Sequence, residues 1–214
     1  MTIITGLDIK FYARITYDQL GFTNESDYEG FLESDTVPAA ERMITDFCSL
    51  PAGFFEAGGT TITDEYHDSD ESGELWLNYH PVVSITSLSI NKKGLTEAPS
   101  WTSLSEGPGA DKHYILYKDQ GHILIYQEIP PSGHKNVKAT YKTGYSATPA
   151  SVARVAAELG ANILRDMLKR KLSPQEFSEA ILQGPYRRET VGQLLSDEMK
   201  QVLSHYYLPR VSHG

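Results

Sequence analysis

Val137 to Lys171, VKATYKTGYSATPASVARVAAELGANILRDMLKRK, runs from a strand pattern into a long helix pattern with almost no slack. Every other segment has to be placed around that joint. Val137, Ala139 and Tyr141 alternate with Lys138, Thr140 and Lys142, the period of a half-buried strand. Gly144 can adopt backbone angles closed to other residues, so the chain can turn there. Thr148-Pro149 then reads as a helix start: Thr148 can cap an orphan amide, and Pro149 loses nothing in a first turn. The spacing predicts a helix to about Lys171, with Val152, Val155, Leu159, Ile163 and Met167 on its core face. Gly144 and Pro149 are thus the expected structural corner. Lys169-Arg170-Lys171 complements the macrodipole at the helix end. It would equally suit an acidic partner, including the acidic N-terminal third of a neighbouring copy.

The rest of the chain is punctuated in three blocks. Short helical turns are expected at Tyr17–Leu20 and Asp27–Leu32. A stronger helix starts at Asp35-Thr36-Val37-Pro38, with Ala40, Met43, Ile44 and Phe47 inward and Glu41, Arg42, Thr45 and Asp46 outward. Leu50-Pro51 ends it. From Thr60 the pattern changes to strands, predicted over 61–66, 74–78, 82–91, 114–118, 122–127 and 136–145, with a bulge near Thr86. Residues 95–111 are expected as a long loop. After the long helix come a helix capped by Ser173-Pro174 and running to about Gln183, a loose 185–193 stretch, a helix over 194–207, and a free tail from Arg210. Helices, then strands, then helices define an α+β chain. The expected form is a helical bundle with an inserted antiparallel β module. Its boundaries are 1–59 for the N-terminal helical part, 60–145 for the β module, 146–183 for the core helix and its successor, and 184–214 for a C-terminal arm.

Composition excludes several classes. At 40% hydrophobic and 22% charged, the chain is built to fold. No apolar run reaches the roughly 18 residues needed to cross a bilayer. The N-terminus lacks the basic-then-apolar order of a signal peptide. A single cysteine, Cys48, points to a reducing compartment, and its helical position beside Phe47 suits a small buried hydrophobe. Residues 1–70 carry a local net charge of −11, with 14 acids against 3 bases. Such a segment argues against wrapping nucleic acid and fits either a solvated acidic face that keeps the chain soluble or a surface that repels DNA.

The search for chemistry returns one metal-like segment. Asp68, Asp70 and Ser72, followed by Gly73, match the first half of a calcium loop. Tyr79 stands where the closing carboxylate belongs, so the expectation is a solvated hairpin turn between two strands. The competing reading is a calcium-dependent binding or hydrolytic module. Histidines are scattered singly, and no nucleophile elbow, phosphate loop or paired-cysteine zinc spacing occurs. The chain reads as a non-enzyme without a cofactor. Arg187-Arg188, in a loose stretch, is an interface candidate.

The order of these motifs resembles the head-to-tail connector, or adaptor, proteins of tailed viruses. His80-Pro81-Val82-Val83-Ser84-Ile85-Thr86-Ser87-Leu88 is similar to that family's P-V-x-S-I-x-S-V strand. Tyr141-Lys142-Thr143-Gly144-Tyr145 to Pro149 is similar to its Y-x-x-G-Y…P corner. The resemblance covers residues 36–171. It implies a virion structural protein assembled in the host cytoplasm and located in the neck. There it would form a homo-oligomeric ring, usually a dodecamer, beneath the portal protein. The ring extends the DNA channel, passes DNA without specific binding, and offers a platform for the next neck or tail protein. The related alternative is another neck or tail-completion protein. By position in the chain, residues 184–214 become the portal-facing arm, with Tyr186, Arg187, Arg188, Tyr206 and Tyr207 as contacts. No membrane is implied.

Overall fold

This computed structural model describes residues 2–93, 98–176, 179 and 194–207. The expected extent of the helix after Pro174, the loose stretch 185–193, and the tail from Arg210 lie outside the described residues. The class is α+β: helices come from both ends of the chain and antiparallel sheets from its middle. The described residues form two units, a helical one from residues 2–57 and those from 147 onward, and a β unit from residues 58–146.

In the helical unit, α1 (Gly6–Ala13) opens on a capping box. Thr5 receives the Asp8 amide, and Asp8 receives the Thr5 amide in return. The sequence reading missed this helix. Its apolar residues Leu7, Ile9, Phe11 and Tyr12 surround the axis and leave no single stripe. The Thr5-x-x-Asp8 spacing was the usable signal. A 3₁₀ turn, Asp18–Leu20, precedes α2 (Glu25–Phe31), which Asn24 caps through the Asp27 amide.

The helix expected to start in Asp35-Thr36-Val37-Pro38 does start there, at Val37, but not from extended chain. The backbone stays helical from α2 through a π turn, Leu32–Thr36, into α3 (Val37–Cys48). Pro38 supplies the reason: it has no N–H, and its ring crowds the carbonyl four residues back. The wider turn, in which the Val37 amide reaches the Leu32 carbonyl, makes room without ending the helix. Thr45, expected outside, is buried, because its hydroxyl returns to the Glu41 and Arg42 carbonyls. Phe47 is half-buried, and Cys48 takes the deep position.

Helix α4 (Ala150–Arg170) is the spine. Val152, Val155, Leu159, Ile163 and Met167 are buried as the spacing predicted. Each such aliphatic side chain removed from water contributes roughly 1.5–3 kcal/mol. The start differs by one residue. Pro149 is extended and is itself the N-cap, its carbonyl receiving the Val152 and Ala153 amides, and no side chain caps the helix. Lys171 ends it in the left-handed region. Gly160 lies where an added Cβ would stand 2.6 Å from Ile9 Cδ1, so the missing side chain lets α1 approach α4. The last helix, α5 (Asp197–Ser204), is capped by Ser196 and buries Met199 and Leu203. It starts later than the expected 194 because Ser196 is extended and its hydroxyl takes the Met199 amide.

The β unit holds β1 (Thr60–Ser69), β2 (Glu74–Trp76), β3 (Val82–Asn91), β4 (Trp101–Leu104), β5 (Tyr114–Tyr117), β6 (His122–Ile125) and β7 (Gly133–Thr143). They make a four-stranded sheet, β1-β7-β3-β4, and a three-stranded sheet, β2-β6-β5. The core between them gathers Leu75, Leu88, Ile90, Ile123, Val137, Ala139 and Tyr141. The bulge near Thr86 is present: the β3–β7 register shifts between Ile85 and Ser87, which restores Leu88 and Ile90 to the core face.

Two expectations fail here. Residues 101–104, placed in a loop, form edge strand β4 against β3. The Asp68–Gly73 segment is not a hairpin turn, because β1 pairs with β7 and β2 with β6, so it carries the chain from one sheet to the other. Strand partners are a non-local choice that alternation along one segment does not encode. Gly59 (φ +67) lies beside β7, where an added Cβ would stand 2.0 Å from the Thr143 carbonyl oxygen.

Candidate functional site

The calcium-like triplet separates. Asp68 accepts from the Lys135 amide at 2.7 Å and contacts His134 Nδ1 at 2.9 Å, both on β7. Asp70 turns back on Ser72, whose amide donates to it at 3.0 Å, and those contacts hold its carboxyl below the ordinary range. Among the described residues, no group of three or more His, Cys, Asp or Glu side chains is placed to share a metal ion. The same segment is instead tied to the β6–β7 connection. Ser69 Oγ donates to the Pro130 carbonyl at 3.2 Å, and the Ser132 amide donates to Glu71 at 3.2 Å. The two connections thus form one acidic tip on the β unit, with Ile129 exposed beside Gly73.

The most organised polar constellation is one that sequence reasoning missed. Asp64 (φ 52) sits at a bulge in edge strand β1, and Glu65 and His67 beyond it point inward. Inward charge on an edge strand also opposes pairing with another chain. Glu65 Oε1 contacts His67 Nε2 at 2.6 Å and receives the Asn78 amide at 3.1 Å. Its other oxygen receives the Tyr141 hydroxyl at 2.8 Å. That hydroxyl in turn receives the Tyr79 amide at 3.3 Å. Burial alone would raise the Glu65 carboxyl, but the hydrogen bonds from His67, Asn78 and Tyr141 outweigh it and hold it below its ordinary value. Burial pushes the Tyr141 phenol far up, and the Glu65 charge adds to this. A carboxylate saturated by donors from β1, β7 and the β2–β3 connection acts as a clamp among them. The Glu65-x-His67 spacing was visible in the sequence; the third partner on β7, 76 residues away, was not.

The partner candidates divide. Tyr186, Arg187 and Arg188 lie outside the described residues. Tyr206 is engaged within the helical unit: its hydroxyl meets Ser151 Oγ at 2.9 Å and its ring packs edge-on against Phe55. Tyr207 is 49% exposed. Gly144 has φ +114, as a corner glycine requires, and Pro149 caps α4. Arg170 pairs with Asp166 one turn back, and Lys169 and Lys171 are exposed. Cys48 is fully buried, its thiol pushed up to about 12 by burial, with Sγ 3.7 Å from the Leu203 carbonyl. Among the described residues, no helix is long and apolar enough to cross a membrane.

Exposed apolar side chains gather in two places. On α1, Leu7 and Phe11 are 66% and 74% exposed. On the outer face of the small sheet, Trp76, His122 and Tyr117 stand in one cross-strand row and stack at 4.4 and 5.3 Å.

No protein-family model and no curated protein matches the sequence. The fold does have solved counterparts. A chain from the neck of an empty GTA particle, reconstructed with C6 symmetry, superposes with a TM-score of 0.52 at 14% identity, over 97% of this chain and 90% of that one. A chain from the neck of a native GTA particle, reconstructed with C12 symmetry, gives 0.48 at 11% identity, over 88% and 90%. The first likeness covers both units and is one of fold: helices from both chain ends with an antiparallel β insertion between them.

Proposed function

We propose that this chain is a structural component of the neck of a tailed particle, acting as a head-to-tail adaptor rather than an enzyme. The observation that carries the reading is the fold shared with a neck-particle chain over 97% of the length. The sequence motifs at 80–88 and 141–149 point the same way, and both fall on the β3–β7 pair and its exit into α4. In this reading the adaptor forms a homo-oligomeric ring under the portal protein. Residues 1–59 and 146–183 build its wall, 60–145 form the inserted module, and 184–214 form the arm toward the portal. Tyr186, Arg187, Arg188, Tyr206 and Tyr207, all within that arm, are the proposed contacts; Tyr207 is exposed, and Tyr206 is also bonded to Ser151. The acidic N-terminal third keeps DNA sliding through the channel without adhering.

The test is assembly. Particles made without the chain are expected to hold packaged heads that lack attached tails. Electron microscopy of complete particles is expected to place symmetric copies between portal and tail. Normal tailed particles in its absence would sink the reading. Replacing Arg187 and Arg188 with Glu should release the chain from purified portal rings in sedimentation.

A further inference from the structure

Two carbonyls from opposite ends of the chain are held by one pair of side chains on α4. Asn162 Nδ2 donates to the Leu194 carbonyl at 2.9 Å, and Arg165 Nη1 donates to Asn162 Oδ1 at 2.9 Å. Arg165 Nη2 donates to the Tyr12 carbonyl at 2.7 Å. The spacing i, i+3 puts the two side chains on one face of the helix. Tyr12 lies in the last turn of α1, where carbonyls lack intrahelical amides and favour a cation. The Thr16 amide, which a longer helix would aim at it, goes to Gln19 instead. Arginine carries donors only, so it takes Asn162 by the oxygen and turns the amide NH2 toward Leu194.

Leu194 directly follows the 185–193 stretch and stands two residues before Ser196, the cap of α5. On its other side the chain leaves α4 at Lys171, and Ser173 and Glu176 then bond each other's amides. Asn162 is eight residues before Arg170, about 12 Å along the helix. The chain therefore leaves the end of α4 and is tied back to α4 at Leu194, which anchors both ends of the part between.

We propose that Asn162 and Arg165 are positioning residues: they peg the root of the stretch bearing Tyr186, Arg187 and Arg188 to α4 and α1, so that it meets its partner from a base fixed at both ends. This rests on the adaptor reading, in which that stretch contacts the portal, and states what orients it. Fixing the ends beforehand lowers the ordering cost of binding.

The test is Asn162→Asp in the full chain, with circular dichroism to verify folding. The substitution is nearly isosteric and keeps a partner for Arg165, but it sets an oxygen against the Leu194 carbonyl. Amide exchange across Leu194 to Lys200 is expected to quicken about fivefold, the worth of one hydrogen bond, with Ile9 and Lys10 unchanged. Affinity for purified portal rings is expected to fall by a similar factor. Arg165→Met, which removes both the lock on Asn162 and the bond to α1, should quicken exchange at both ends. Added to the Arg187→Glu, Arg188→Glu protein, Asn162→Asp should weaken portal binding no further, because it acts only through that stretch. Unchanged exchange across Leu194 to Lys200 in both variants overturns the peg. Quickened exchange with wild-type portal affinity overturns the positioning role, as does an additive loss in the combined variant. Portal binding indifferent to Arg187→Glu and Arg188→Glu sinks the portal contact instead, and the exchange measurement still decides the peg.

Discussion

Two carboxylates, one in each unit, respond to burial in opposite ways. Glu41, in α3, is raised above its ordinary value: burial dominates, the Ile3 and Ile4 amides offset part of it, and nearby Glu56 adds repulsion. Glu65, in β1, is lowered despite burial, because His67, the Asn78 amide and Tyr141 all converge on it. The difference follows from backbone accounting. Helices spend their amides on themselves and leave few donors for a buried acid, apart from the chain entering at residues 3 and 4. Bulged strands and the connections between them leave amides free to turn inward. The helical unit is therefore stabilised mainly by apolar packing along α4, whereas the β unit adds a polar clamp to its core.

That contrast can be broken at several points. The largest effect is expected from Gly59→Ala in the β unit. Its Cβ would meet the Thr143 carbonyl oxygen at 2.0 Å from a backbone at φ +67. The combined strain and overpacking should cost about 4 kcal/mol. Hydrogen exchange should show the loss in β1 and β7 before α4, and equal loss in both would erase the distinction between the units. Glu65→Gln comes next, at about 1.5 kcal/mol, since it leaves the clamp's donors poorly matched. The pH dependence has a definite sign. A depressed folded value means that Glu65 stabilises above its unfolded value, near 4.5, and that this contribution is lost as the pH falls through its lower folded value. Glu41, being raised, works the other way: its contribution is intact below 4.5 and is lost as the pH rises through its higher folded value. Denaturant titrations of Glu65→Gln should therefore show a flatter acid limb than wild type, and an unchanged limb would remove Glu65 from the clamp. The smallest effect, about 1 kcal/mol, is expected for Thr5→Ala at the start of α1. It should appear as faster amide exchange at Ile9 and Lys10 while the sheet is unaffected.

Legibility in the sequence followed the range of the interaction. The strand 137–143, the glycine at 144 and the spine of α4 were all readable, because alternation, a left-handed backbone need and a 3.6-residue repeat are written within one segment. Cys48 was readable as a buried hydrophobe for the same reason. The start of α3 at Val37 was readable, but the π turn that joins it to α2 was not, because Thr36 and Pro38 read as the start of a separate helix. Helix α1 was missed because a stripe left open on its outer side hides the periodicity of the covered one. The Asp68–Gly73 segment looked like a turn between neighbours, yet its strands belong to different sheets.

The residues of this chain suffice to settle its class, its central joint and the inward face of its longest helix, since each depends on patterns within about twenty neighbours. They do not settle which strands pair, that β4 exists, or that Glu65 meets Tyr141. Those outcomes depend on contacts between segments tens of residues apart, whose loop-closure cost and donor supply appear only once the chain has folded. The exposure of Leu7 and Phe11 on α1 belongs with them: the residues are plain in the sequence, but their standing open among the described residues is a property of the packed unit.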